Sequence, residues 1–303
     1  MKNSQLAEHQ IATNQKRIAF FDSGQGGLTV WESVVLKHPK LNTIYLGDNA
    51  RYPYGNKSAE TVTRYASEAI MFLTAQSAEM IVVACGTASS VAVQKLQKIF
   101  RVPVIGIVEG FCAEAARLNP RNIAVLGTRF TVASQRFVHV LAEHGVERVW
   151  QRACPLFVSL VEEGITAGNI ADAACRLYLA DFPDDVDVVM LACTHFPRFA
   201  ACIAKTLGEM KNRAVVFQSI QGEQILYQPA AGSTEPPIRL LDTSTSIANS
   251  VGDFIRTQPN KEIFSGGLCD LYCTDAPARF AAVASLFTTT SLPEPQLASL
   301  GTL

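Results

Sequence analysis

Along this chain, short apolar runs end in polar, glycine-bearing turns and alternate with stretches whose apolar positions repeat at helical spacing. That alternation is the pattern of repeated βα units. Arg17-Ile18-Ala19-Phe20-Phe21 reads as a buried strand, closed by Asp22-Ser23-Gly24-Gln25-Gly26-Gly27 before a helix that begins near Leu28. Further strands are expected at Thr43 to Leu46, Met80 to Ala84, Val104 to Val108, Ile123 to Leu126, around Val149, at Val188 to Leu191 and at Ile238 to Leu241. Ser58 is placed to cap a helix whose Val62, Tyr65, Ala69 and Phe72 or Leu73 share one face. Other helices are expected over Phe130 to His144, Ile170 to Leu179 and Thr245 to Ile255. The fold class that follows is α/β, with mainly parallel sheets flanked by helices.

A faint internal echo divides this pattern in two. Val83-Ala84-Cys85 with Thr87 resembles Leu191-Ala192-Cys193-Thr194, and Phe20-Phe21-Asp22-Ser23 resembles Leu240-Leu241-Asp242-Thr243. Two pseudo-symmetric lobes are therefore expected, with a hinge near Glu109-Gly110 and a return near Ser219. The first lobe would hold residues 1–108 plus 219–303, and the second 109–218. Lys211 to Pro237 is the least regular stretch, and Ala231 to Pro237 reads as an exposed loop.

Composition narrows the class. The 303 residues are 48% hydrophobic and 17% charged, ordinary for a soluble globular chain that buries a sizeable core. With 26 basic against 27 acidic residues there is no basic excess to favour nucleic acid. No apolar run reaches the roughly 18 residues of a membrane span. The polar start from Met1 to Lys16 lacks a secretory core, which points to the cytoplasm. The eight cysteines are scattered through a long chain, so free thiols are expected over a disulfide framework. Cys269 and Cys273 form a C-x3-C pair with no second ligand pair at zinc-site spacing, so no metal is assigned. Cys175 and Cys202 read as small core residues on helices.

The candidate chemistry sits in two segments, Val82 to Ser89 and Met190 to Pro197. Each carries a cysteine and a threonine to the carboxyl end of a strand, where open parallel sheets bind ligands. The thiols are far enough apart in sequence to lie on separate lobes and close on one ligand from opposite sides of a cleft. A thiol acts as a base only when ionised, and its ordinary pKa of about 8.5 calls for a helping neighbour. His195 is near Cys193, and Asp22 at the end of the first strand can serve Cys85. Both thiols are expected at helix N-termini, where the dipole favours negative charge. Asp22 to Gly27 lacks the full dinucleotide spacing and a P-loop lysine, so its glycines point instead to close backbone approach to a small anion. Pro53-Tyr54-Gly55 and Gly127-Thr128-Arg129-Phe130-Thr131 supply hydroxyls and amides for a carboxylate clamp. Singly, each segment also fits a core thiol, a turn or a helix cap. Their matched placement favours a site.

Together these segments resemble the glutamate racemases of the cofactor-independent aspartate/glutamate racemase group. The resemblance rests on Phe21-Asp22-Ser23-Gly24 with Gly26-Gly27-Leu28, Gly47-Asp48-Asn49-Ala50-Arg51 with Pro53-Tyr54-Gly55, Ala84-Cys85 with Thr87-Ala88, Gly127-Thr128, and Ala192-Cys193-Thr194-His195-Phe196-Pro197, in that order, from about Arg17 to Phe287. It implies a two-lobed fold with the active site in the cleft, glutamate as substrate, no cofactor or metal, supply of D-glutamate for peptidoglycan, and a homodimer. Carried over by position, Cys85 would act on D-glutamate with Asp22 assisting, and Cys193 on L-glutamate with His195 assisting. Asp48 and Glu162 resemble two further acidic stations, with Glu163 an alternative for the second. Ser23, Tyr54, Gly55, Gly86, Thr87, Thr128 and Thr194 map onto substrate-binding positions.

Two departures qualify this expectation. Gln25 stands where the family has an aliphatic residue, and Gly86 stands where it has asparagine. Loss of an amide donor to a carboxylate would cost roughly 10- to 100-fold in binding or rate. Gly86 would also leave room for a different substrate, so racemisation of aspartate or another amino acid, and a weakly active or non-catalytic metabolite-binding role, stay open as alternatives.

Overall fold

The computed structural model describes residues 16–230, 233–259 and 264–301. Residues 1–15, within the polar start, and 231–232 of the expected loop lie outside the described residues. The described residues form the strands β1 Arg17–Asp22, β2 Thr43–Gly47, β3 Ala78–Val83, β4 Val104–Gly106, β5 Ile123–Gly127, β6 Val149–Ala153, β7 Val188–Leu191, β8 Val215–Ser219, β9 Gly222–Tyr227, β10 Ile238–Leu241, β11 Cys269–Cys273 and β12 Gln296–Leu297; apolar runs predicted all of these except β8, β9, β11 and β12. They assemble into two 6-stranded sheets, ordered β12-β11-β2-β1-β3-β4 and β6-β5-β7-β10-β8-β9. Every pairing is parallel except that of β8 with β9.

The order exposes the internal symmetry. The series β2-β1-β3-β4 in one sheet recurs as β6-β5-β7-β10 in the other. β3, which leads to Cys85, therefore corresponds to β7, which leads to Cys193, and each cysteine follows its strand after one intervening alanine. The same correspondence corrects the second echo. β1 matches β5, whereas the strand before Asp242 matches β4.

Sheet membership also corrects the lobe boundaries. The expected return at Ser219 falls at the end of β8, and β9 and β10 remain in the second sheet. The chain returns only after Leu241, through the helix Ser244–Thr257, to reach β11. The cause is long-range pairing: β10 is almost wholly buried and pairs with both β7 and β8. β8 and β9 form a hairpin whose half-exposed residues gave the 211–237 stretch its irregular look. Glu109 and Gly110, expected as a hinge, lie inside the helix Val108–Ala116.

Burial explains why the strands read as unbroken apolar runs. Ile18 and Phe20 of β1 face one core while Ala19 and Phe21 face another, so both sheet faces are covered. The first of these cores continues without a break into the second lobe, through Val125, Phe157 and Leu191. Ser58 caps the helix Ala59–Ala75, accepting from Thr61 N at 3.3 Å. The expected Phe130–His144 helix is two helices, Arg129–Ala133 and Arg136–Glu143, divided at Gln135, whose backbone is left-handed. Cys269 and Cys273 both lie in β11, and all eight cysteines are free thiols. Among the described residues no helix is long and apolar enough to cross a membrane. Nor do any of them form a group of His, Cys, Asp and Glu able to hold a metal.

Candidate active site

The carboxyl ends of the two sheets face one another across a cavity of about 470 Å³. From the first lobe it is lined by Ser23, Tyr52, Pro53, Tyr54, Gly55, Asn56, Cys85, Gly86 and Thr87. From the second it receives Thr128, Arg129, Cys193, Thr194 and His195, with a wall from Pro155, Leu156, Val158, Ser159 and Tyr178. The structure thus brings together the two thiols and every residue expected to bind substrate.

On the first side, Cys85 follows β3 and stands at the N-terminus of the helix Gly86–Val91, as expected. It is 5% exposed and donates to Ser23 Oγ at 3.5 Å. Burial, followed by the charge of Asp22, pushes its thiol up to about 11, despite help from the Ala88 and Ser23 amides. Asp22 is buried and is not among the residues that line the cavity. Its Oδ2 accepts from Gly24 N at 2.9 Å, while Oδ1 is buried without a hydrogen-bond partner. Burial raises the Asp22 carboxyl as well, so this half-site resists carrying two negative charges.

On the second side, Cys193 is 7% exposed and its Sγ lies 4.0 Å from His195 Nδ1. Nε2 of the same ring is 3.2 Å from Glu162 Oε1. Of the two acidic alternatives, Glu162 backs the histidine while Glu163 is exposed. Burial pushes the Cys193 thiol upward too. The expectation that an N-terminal dipole would favour thiolates is therefore outweighed at both cysteines by the loss of solvent. Cys193 precedes only a short 3-10 turn, Phe196–Phe199, before the helix Ala200–Lys211.

Asp48 does not reach the cavity. Its buried carboxylate accepts from Arg51 Nε at 2.6 Å, from Thr274 Oγ1 at 2.9 Å and from the Tyr54 hydroxyl. It braces the Tyr54-Gly55 loop from behind. The Tyr54 hydroxyl is thus committed to Asp48, although Tyr54 and Gly55 line the cavity.

The lobes meet closely around the site. Thr87 and Thr128 hydroxyls are 3.0 Å apart across the cleft, and Thr128 also caps its own helix. A Cβ on Gly26 would stand 2.6 Å from His195 Nδ1, so only glycine fits there. Gly86 is tighter still. A Cβ at that position would run into the carbonyl oxygen of Ala192 and approach Cys193 Cα to 3.6 Å. The extra room expected at Gly86 is thus occupied by second-lobe backbone, and with it goes the reason for expecting a different substrate.

Sequence reasoning missed Tyr52, Arg129 as a wall residue, and the Pro155–Ser159 face with Tyr178. Tyr52 was signalled only by lying directly before Pro53-Tyr54-Gly55. The 155–159 face had no local mark, since its approach to the cavity is made by tertiary packing.

Equivalent strands of the two sheets thus each deliver a cysteine to one shared cleft, the architecture of a two-lobed α/β protein with its site between the lobes. A family model, Asp/Glu/Hydantoin racemase, matches residues 33–217. The glutamate racemase of Aquifex aeolicus is 35% identical over 260 residues, covering 86% of this chain and 89% of its own. Glutamate racemase of Thermus thermophilus, solved with β-chloro-D-alanine, superposes with a TM-score of 0.77 at 32% identity, covering 96% of this chain and 99% of that one. The Francisella tularensis enzyme with D-glutamate gives 0.80 at 27% identity, covering 96% and 100%. The chain belongs to the glutamate racemase family.

Proposed function

We propose that this protein interconverts L- and D-glutamate by two-base proton transfer, without a cofactor, and so supplies D-glutamate for peptidoglycan. The observation that carries the reading is the pairing of Cys85 and Cys193 in one cavity, each at the end of a symmetry-equivalent strand. From D-glutamate, Cys85 thiolate takes the Cα proton and the electron pair is delocalised into the α-carboxylate. Cys193 thiol then delivers a proton to the opposite face. The products are L-glutamate, a Cys85 thiol and a Cys193 thiolate, and the reverse reaction exchanges these roles.

Hydroxyls of Ser23, Thr87, Thr128 and Thr194 and the Tyr54-Gly55 backbone clamp the carboxylates, stabilising the charge that develops at Cα. Asp22, buried with Oδ1 unpaired, assists Cys85 by accepting its proton. His195, held by Glu162, exchanges protons with Cys193. The raised thiols make the step difficult in the empty site, and an entering ammonium lowers the cost of forming a thiolate. In D2O the product should gain deuterium at Cα in the first turnover; inversion with the original proton retained would rule this mechanism out. We further propose a cytoplasmic location and a homodimer, both on the family resemblance, the latter checked by light scattering.

A further inference from the structure

The ring of His195 is held between two aromatic residues of the opposite lobe. Tyr52 stacks on it with centroids 6.3 Å apart and planes 21° apart, and Phe287 meets it edge-on at 4.9 Å. Tyr52 also lines the cavity. The Tyr52 hydroxyl oxygen is shielded from solvent and has no hydrogen-bond partner among the described residues. Buried hydroxyls rarely go unpaired. Burial first, then the negative charge of Glu162 and after it those of Cys193 and Asp22, keep the phenol protonated, hence a donor.

Resting on the reading of Cys193 as one of the acid/base pair, we infer that Tyr52 is a positioning residue whose hydroxyl donates across the cleft to Glu162, fixing the Glu162–His195–Cys193 proton path. Glu162 then receives the His195 ring on one side and the Tyr52 hydroxyl on the other, and the stacked ring keeps Nδ1 turned toward Cys193. Because Tyr52 belongs to the first lobe and the other three residues to the second, the path is complete only when the cleft is closed. Cys85 has no such requirement.

Tyr52→Phe keeps the stacked ring and removes only the donor. It should lower kcat/KM for glutamate about 10-fold, the low end for a hydrogen bond to a charged group. The loss is equal in both directions, as equilibrium requires, and starting from L-glutamate it falls in kcat with KM little changed. Iodoacetamide labelling read by mass spectrometry should slow at Cys193 while Cys85, in the same sample, labels at the wild-type rate. In a Glu162→Gln background the same substitution should add nothing, since the path is already broken. Unchanged kcat and an unchanged Cys193-to-Cys85 labelling ratio would overturn the inference, as would a loss confined to KM or a full additional loss in the Glu162→Gln background. A wild-type protein that fails to racemise glutamate would instead overturn the proposed function.

Discussion

Cys85 and Cys193 leave equivalent strands of two similarly ordered sheets, but their surroundings differ. Cys85 faces a hydroxyl and has a buried carboxylate with one oxygen open. Cys193 faces an imidazole, itself backed by a carboxylate and gripped by two aromatic rings. Topology therefore sets where the thiols are, while the connecting loops set how each handles its proton. A symmetric pair of bases can invert a carbon only if one begins protonated and the other does not, and unlike neighbours serve that need from either side.

Removing either thiol breaks the comparison most severely. Cys85→Ala and Cys193→Ala should each abolish inversion in both directions, by about 10²–10⁴-fold or more, in a circular-dichroism assay of glutamate. Near-normal turnover in either would defeat the pairing.

Next comes Gly86. On sequence alone, asparagine there promised a restored carboxylate donor and a faster enzyme. The structure reverses the sign, because the first side-chain carbon meets the Ala192 carbonyl that carries Cys193. Gly86→Asn should wedge the half-sites apart and cost about 10²-fold in kcat/KM, as a displacement of about 1 Å does. Gly86→Ala should lose nearly as much, since the collision begins at Cβ. A gain with asparagine would mean that the lobes stand further apart in solution.

His195→Ala should be milder, about 10-fold. Starting from L-glutamate the loss should appear in kcat, whereas Asp22→Asn should show its kcat loss starting from D-glutamate. Identical kcat patterns for the two variants would remove the asymmetry argued above.

The smallest effect concerns two half-buried carboxyls away from the cavity. Asp242 is raised to about 6 by burial, and Glu114 to about 7 by burial and then by the charge of Asp242. A carboxyl whose pKa rises on folding stabilises most below its unfolded value, near 4, and that contribution is lost as pH climbs through 6 to 7. Glu114→Gln should therefore melt a few degrees above wild type at pH 8 and show little advantage at pH 4. The opposite pH trend would contradict the assignment.

Much of the fold was legible because the strands are buried on both faces and so form continuous apolar runs, as at Val188–Leu191 and Ile238–Leu241. The return crossing was not, since pairing of β10 with β7 and β8 is a long-range choice that no local pattern encodes. At the site, Cys85, Cys193 and His195 were visible because their turns directly follow strands. Asp48 misled for the same reason: it also follows a strand, but its carboxylate is claimed by Arg51, Tyr54 and Thr274. The true spacing at Gly86 emerged only when the second lobe came into view.

The central claim, one thiol for each face of Cα, is tested most directly by α-proton exchange in D2O with the two alanine variants. Cys193→Ala retains Cys85 and should wash deuterium into D-glutamate without inversion, leaving L-glutamate unlabelled. Cys85→Ala should do the reverse. Exchange of both enantiomers by either variant, or of the same enantiomer by both, would contradict the account.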